Sequence, residues 1–419
     1  MKNLIDLVKQ YRGLRKEIYI IFIARIVNSM GCFVYPLLAL IMTQKLGLST
    51  ARAGTLITIV SAFSGLSLMI GGKVADTFGR KRVILLFQGA AAVVFIVCGF
   101  LKPDISLVYF IMAAPILNSI AQPAQDAMII DLADPEKRRE AFSLLYMGHN
   151  LGFAIGPVIG GILYRSHLPL VFIGDGLTTI ASLTLLAIFV KETINSDEDR
   201  IKTEERVLER SEKGSVFSVL LKRPILLYFA LIMFVYQFSY AQWGFTLPLQ
   251  LGKIYGTYGG TNYGILGGIN GAVVICLTPV IVRLTHSIKP LFIMGFGGLM
   301  YAVAFGSFAF IKTMPLFIMF IIIMTVGEIS ISINGSAFAA NHTPASHRGR
   351  VSAAIQLIFG VGSAISPMIM GKYITVKSIS SGWMLICAIM IVSSSFMFLL
   401  SKMDKTIEVK EEKLSNLSN

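Results

Sequence analysis

Arg25, Asp126 and Glu328 each interrupt a run of apolar residues long enough to be a membrane helix. Glu328 lies thirteen residues into the run 315–339, in Thr325-Val326-Gly327-Glu328-Ile329-Ser330. At about 1.5 Å per residue of helix its carboxyl is ~20 Å deep, near the middle of a bilayer. An ionisable group is expensive there and is a functional candidate by default. No basic residue lies at comparable depth in the second half of the chain. Glu328 is therefore expected to exchange its proton when water or a cation arrives, which is what a proton-coupling group does. The plainer reading is a protonated, hydrogen-bonded structural glutamate. Arg25 is about 10 Å from the cytoplasmic start of its run, and Asp126 about 8 Å from the cytoplasmic end of its own. Their depths agree, so a salt bridge is expected, with both residues in the coupling machinery. Asp175, seven residues into a later run, is expected near the external surface.

Other chemistries lack their residues. There is no H-E-x-x-H or G-x-S-x-G, and no G-x-x-x-x-G-K-[ST] to drive an ATP-powered pump. The four cysteines, Cys32, Cys98, Cys276 and Cys387, are scattered through apolar runs without metal or redox spacing. The expectation is a protein that is not an enzyme, has no metal or cofactor, and draws its energy from the transmembrane proton gradient.

These side chains need a scaffold that holds charge in hydrocarbon, and the composition supplies it. The 419 residues are 55% hydrophobic and 14% charged, where a soluble domain keeps roughly 25% charged. Twelve runs are long enough to cross a bilayer: 18–43, 51–72, 83–101, 105–131, 141–164, 168–190, 224–249, 262–283, 289–311, 315–339, 351–373 and 380–401. None alternates as the strands of a membrane β-barrel do. The fold class expected is an all-α membrane protein. With the N-terminus inside, inward-facing segments hold 28 of the 37 Lys and Arg and outward-facing ones hold 8. That asymmetry puts both termini in the cytoplasm. It also accounts for the net charge of +14 without a nucleic-acid partner, which would concentrate base on one soluble face.

Residues 191–223 form the one long polar stretch and read as a cytoplasmic linker. They divide the chain into two six-helix bundles, 18–190 and 224–401, flanked by a basic segment, 1–17, and a cytoplasmic tail, 402–419. The first 17 residues either lie along the membrane interface through Leu4, Leu7, Val8, Tyr11 and Leu14 or form a frayed tail. Gly152, Pro157 and Gly161 recur 210 residues later as Gly362, Pro367 and Gly371. The bundles therefore read as pseudo-repeats, with the transport site where the halves meet.

Two motifs carry a resemblance. After the second run the chain reads Gly72-Lys73-Val74-Ala75-Asp76-Thr77-Phe78-Gly79-Arg80-Lys81-Arg82. Gly72 and Gly79 suit a tight turn and close backbone approach, Asp76 suits backbone N–H groups at a helix N-terminus, and Arg80 suits a carboxylate such as Asp131. The segment resembles the signature loop of the major facilitator superfamily, departing from it at Val74 and Thr77. In the fifth run, Gly152-Phe153-Ala154-Ile155-Gly156-Pro157-Val158-Ile159-Gly160-Gly161 is similar to the Gly-Pro pattern of antiporters in that superfamily. Small residues four apart allow close helix contact, and Pro157 removes one helical hydrogen bond.

The resemblance implies a cytoplasmic gate built on Gly72, Asp76, Gly79, Arg80, Lys81 and Asp131. It also implies a substrate cavity that includes Asn28, Tyr35, Gln237, Tyr240, Gln242, Trp243 and Glu328. Similar drug exporters carry a Gly-Glu in the tenth helix, as Gly327-Glu328 does here. Such proteins often carry an arginine in the fourth helix, which this chain lacks at a matching place; Arg25 stands in for it, or the function is absent. The function implied is proton-coupled export of lipophilic or cationic small molecules by alternating access. The alternative is an uptake symporter or a lipid or glycolipid translocase on the same fold. The partners expected are a small-molecule substrate and the inner-membrane bilayer around a multi-pass monomer.

Overall fold

The computed structural model describes residues 11–134, 137–193, 224–285, 288–342 and 348–417, with backbone alone at 105, 138–140, 336–337, 339–342, 348–356 and 405–417. Every regular element among them is helical. Eleven helical stretches are long and apolar enough to span a membrane. One of them, Pro224–Thr285, has 62 residues, about three times the 20 that a crossing needs. Gly256 adopts φ +56° between the helices Thr246–Tyr255 and Gly259–Thr285. The chain turns there, so this stretch supplies the seventh and eighth spans and the total is twelve.

Contacts group the chain into two units, Met1–Ser211 with Pro248–Ala272, and Glu212–Leu247 with Val273–Asn419. The boundary between Ser211 and Glu212 falls within the polar stretch 191–223, of which 194–223 lie outside the described residues, and residues 248–272 are grouped with the first six spans. That regrouping comes from the start of the eighth span, whose glycines pack on the fifth span. The same pairings recur in each unit. The first span packs on the fifth, the second on the fourth and the third on the sixth. In the second unit the seventh packs on the eleventh and the ninth on the twelfth, and the eighth meets the tenth through Val274, Ile281 and Ile329. Gly152 lies against the first span's backbone at Ile26, and Gly362 against the seventh's at Phe234. The repeat read from spacing is thus a repeat of contacts.

The first span is not one straight helix. It runs Lys16–Met30, breaks at 31–33, and resumes as Val34–Leu40 and a wider turn, Ile41–Lys45. A restarting helix leaves N–H groups without partners. Asp175 of the sixth span supplies them: its Oδ2 accepts from the backbone N–H of Phe33 and of Val34, each at 3.1 Å. The carboxylate is 8% exposed, so its place is inside the unit. The Phe33 N–H also reaches the Gly31 carbonyl at 2.7 Å, so replacing Asp175 with Ala strands the Val34 donor, and it is expected to destabilise the protein by about 1–3 kcal/mol. Asp175→Asn keeps an acceptor and should lose less. Thermal unfolding of purified protein in detergent measures both, and equal melting temperatures for Ala and wild type would refute the capping role.

The basic N-terminal segment is docked where it is described. Leu14 is buried in the first unit's core with Tyr11 packed against it. Tyr11 Oη lies 3.0 Å from Ser143 Oγ, Lys137 Nζ donates to the Gly13 carbonyl at 3.1 Å, and Arg15 pairs with Asp134 at 3.6 Å. Residues 1–10 lie outside the described residues. In the tail, 402–417 continues the last helix, Ile379–Leu417.

Candidate transport site

In the second unit, Glu328 sits within the helix Met314–His342 and is half-buried. Tyr240, near the end of the helix Pro224–Tyr240, donates its hydroxyl to Glu328 Oε1 at 2.8 Å. Tyr301 of the ninth span is buried and stacks on Tyr240 with ring centroids 5.8 Å apart. The close approach that places these rings uses Gly327, whose missing Cβ would lie 2.7 Å from the Gly297 carbonyl oxygen. Glu328 is therefore a hydrogen-bonded carboxyl in an aromatic wall. Tyr301 was not legible as part of it, because an aromatic in an apolar run looks like core.

The other cavity candidates of the second unit separate by burial. Gln242 is fully buried: its amide donates to Ser366 Oγ and to the Phe238 carbonyl, and its oxygen accepts from Thr246 Oγ1 at 2.5 Å. Those bonds hold the short 3₁₀ segment Ala241–Trp243 against the eleventh span. Trp243 is buried too, whereas Gln237 is half-buried with no hydrogen-bond partner among the described residues.

In the first unit a cavity of about 230 Å³ opens between the first, third, fourth, fifth and sixth spans, and Arg25 and Asp126 both line it. They do not form the expected salt bridge. Arg25 donates to Gln125 Oε1 at 3.0 Å, and Gln125 donates in turn to Gln88 Oε1 at 2.8 Å. Equal depth along two helices fixed neither the direction in which each side chain points nor the amide that comes first. Asn28 donates to Thr179 Oγ1 at 3.1 Å, and His149 Nδ1 lies 2.9 Å from Ser29 Oγ. Tyr35 belongs to the restarted half of the first span and is 69% exposed.

The signature segment is helix for most of its length. The second span runs Thr50–Phe78, so Gly72 and Asp76 lie on its last turns rather than in a loop. Gly72 has open space where a Cβ would point, so close approach is not its role within this unit. The turn is at Gly79, with φ +95°. The partner that sequence reading missed is Glu192, assigned there to the linker. Its carboxylate accepts from the backbone N–H of Arg80 at 2.9 Å, Lys81 at 3.2 Å and Arg82 at 3.4 Å, capping the third span. Arg80 pairs with Asp131, which also accepts from Thr193 Oγ1 at 2.9 Å, and Lys81 Nζ donates to the Ala187 carbonyl at 2.6 Å. Asp76 is exposed and has no hydrogen bond or ion pair among the described residues. Asp131→Ala is expected to lower stability by about 1.5–3 kcal/mol, the range for a charge-assisted bond, and Asp76→Asn to leave it unchanged. Melting temperatures of the two variants test this, and an equal loss would put Asp76 back in the cluster.

The fifth span, Arg138–Ser166, uses its glycines on two sides. Gly152 and Gly156 face the first span, where a Cβ on Gly152 would lie 2.5 Å from the Ile26 carbonyl oxygen, and Gly160 faces Phe33. Gly161 and Pro157 face the start of the eighth span: Thr261 Oγ1 donates to the Gly161 carbonyl at 2.8 Å, and Gly264 meets the Pro157 backbone.

Two repeated six-helix sets with polar, charged groups inside their apolar spans are the build of a multi-pass membrane transporter. The chain belongs to the Major Facilitator Superfamily, whose family profile matches residues 21–367. It is 25% identical over 373 residues to a Na(+), Li(+), K(+)/H(+) antiporter of Planococcus maritimus, covering 81% of this chain and 85% of that one. It is 29% identical over 181 residues to the multidrug resistance protein MdtH of Proteus mirabilis, 42% of this chain and 44% of that one. Among solved structures, a peptide transporter POT in complex with sulfate superposes with a TM-score of 0.76 at 16% identity, covering 93% of this chain and 95% of that one. A bacterial homologue of the human lysosomal transporter Spinster gives 0.74 at 17% identity, covering 94% and 97%. These likenesses are of fold.

Proposed function

We propose that the protein is a proton-coupled antiporter that exports lipophilic or cationic small molecules by alternating access. The observation that carries this is the carboxyl of Glu328, set deep in an apolar span and hydrogen-bonded to Tyr240. A proton gradient drives transport only through a group that binds protons differently in the two access states, and a carboxyl that trades a tyrosine donor for a cation is such a group. Relatives named as an antiporter and as a multidrug resistance protein support the same reading. The Planococcus relative favours a second reading, exchange of protons for monovalent metal cations at the same carboxyl. In either case the chain acts without a bound cofactor, as a monomer in the cell's inner membrane with both termini in the cytoplasm.

Everted vesicles carrying a pH-sensitive dye, energised and then given lipophilic cations or Na⁺, K⁺ or Li⁺ salts, distinguish the two readings. Proton release on adding an organic cation supports the first, and release on adding salts alone supports the second. Silence to both, from vesicles shown to hold the protein, overturns antiport.

A further inference from the structure

Two opposite charges in the first unit share a cavity without touching. Arg25 and Asp126 both line it and neither is buried. They form no ion pair within 4.0 Å. Arg25 spends one N–H on Gln125, whose oxygen is aimed at it by the bond to Gln88. A guanidinium has five donors in a fixed fork, so a face of it remains for a ligand. Asp126 has no hydrogen-bond or ion-pair partner among the described residues. The neighbouring polar groups are engaged elsewhere, Asn28 with Thr179 and His149 with Ser29. The rest of the wall is apolar, from Ile84, Met128, Phe142 and Leu145.

We propose that this cavity is a binding subsite for zwitterionic amphiphiles, with a carboxylate on Arg25, an ammonium at Asp126 and an apolar body against Ile84, Met128, Phe142 and Leu145. Charge arithmetic favours a ligand with both charges over one with a single charge. A lone cation drawn to Asp126 is repelled by Arg25, and a lone anion meets the mirror image. A molecule bearing both groups gains both attractions and neutralises two charges that are expensive inside a span. The inference takes its biological meaning from the transporter reading and adds a substrate class to it. It is measured as binding, so loss of coupling at Glu328 leaves it standing, and its own failure leaves the coupling assignment standing.

The test is a matched ligand series on the full-length protein in nanodiscs, read by isothermal calorimetry: 4-(aminomethyl)benzoate, benzylamine, benzoate and benzyl alcohol. The zwitterion is expected to bind at least about tenfold more tightly than either singly charged analogue, which corresponds to ~1.4 kcal/mol. Arg25→Gln should bring the zwitterion and benzylamine to equal affinity, and Asp126→Asn should do the same for the zwitterion and benzoate. The double swap Arg25→Asp with Asp126→Arg should restore the zwitterion's advantage with the ligand reversed end for end. Benzylamine or benzoate binding as tightly as the zwitterion to the unmodified protein overturns the proposal, whatever the variants do. So does a zwitterion affinity unmoved by Arg25→Gln, or the absence of binding by all four.

Discussion

Glu328→Gln is expected to abolish uphill, pH-driven accumulation while leaving the protein folded and able to exchange substrate down its own gradient. The amide keeps the shape of the carboxyl and an oxygen that accepts from Tyr240, but it does not titrate. The size of the effect follows from the gradient. Each pH unit across the membrane is worth 1.36 kcal/mol per proton. One proton exchanged per substrate therefore supports roughly 100-fold accumulation at a difference of two units, and the variant should fall to parity. A neutral substrate should bind the variant almost as it binds wild type, whereas a cationic one binds weakly because its counter-charge is gone. Tyr240→Phe, which removes the donor and keeps the ring that stacks on Tyr301, should slow transport without uncoupling it. Counterflow and energised uptake in the same proteoliposomes separate the two activities. Wild-type accumulation by Glu328→Gln moves the coupling role to Asp126.

The largest structural effect is expected at a glycine outside the two motifs. A Cβ on Gly264 would fall against the backbone of Pro157 and lie 3.0 Å from the Val158 Cα. Backbone does not swing aside as a side chain does, so Gly264→Leu must lift the eighth span off the fifth. Overpacking a close contact costs about 1–3 kcal/mol and at times more, and here the bond from Thr261 to the Gly161 carbonyl is lost as well. The expected outcome is little folded protein and no transport, with Gly264→Ala intermediate. Gly72→Ala is the contrast: it lies in the signature segment, yet a Cβ there meets nothing, so folding should be unaffected. Yields of monodisperse protein by size-exclusion fluorescence give the order, and a tolerant Gly264→Leu would show that this contact is not needed.

That contrast marks what the sequence makes legible. Spans are legible because hydrocarbon demands about 20 apolar residues per crossing, and no tertiary context is needed to see such runs. Repetition is legible because helix-breaking residues at one offset survive in Gly152 and Gly362. What escapes is whatever depends on rotation about a helix axis or on backbone groups. The break at 31–33 is a matter of which N–H groups Asp175 reaches, and Glu192 caps the third span from a position that composition assigns to a polar linker. For Arg25 and Asp126 depth was legible and direction was not. For Glu328 the carboxyl was legible in its apolar run, and the two tyrosines from other spans were not.

The grouping of residues 248–272 with the first six spans also sets an order of assembly. The ribosome makes residues 212–247, which belong to the second unit, before the chain that completes the first. The side of the fifth span that bears Pro157 and Gly161 therefore has no eighth-span partner until that chain is made. The set of contacts that defines the first unit is complete only once the chain extends to residue 272. A chain ending at the polar stretch would therefore lack the partner that Gly161 and Pro157 meet in the eighth span.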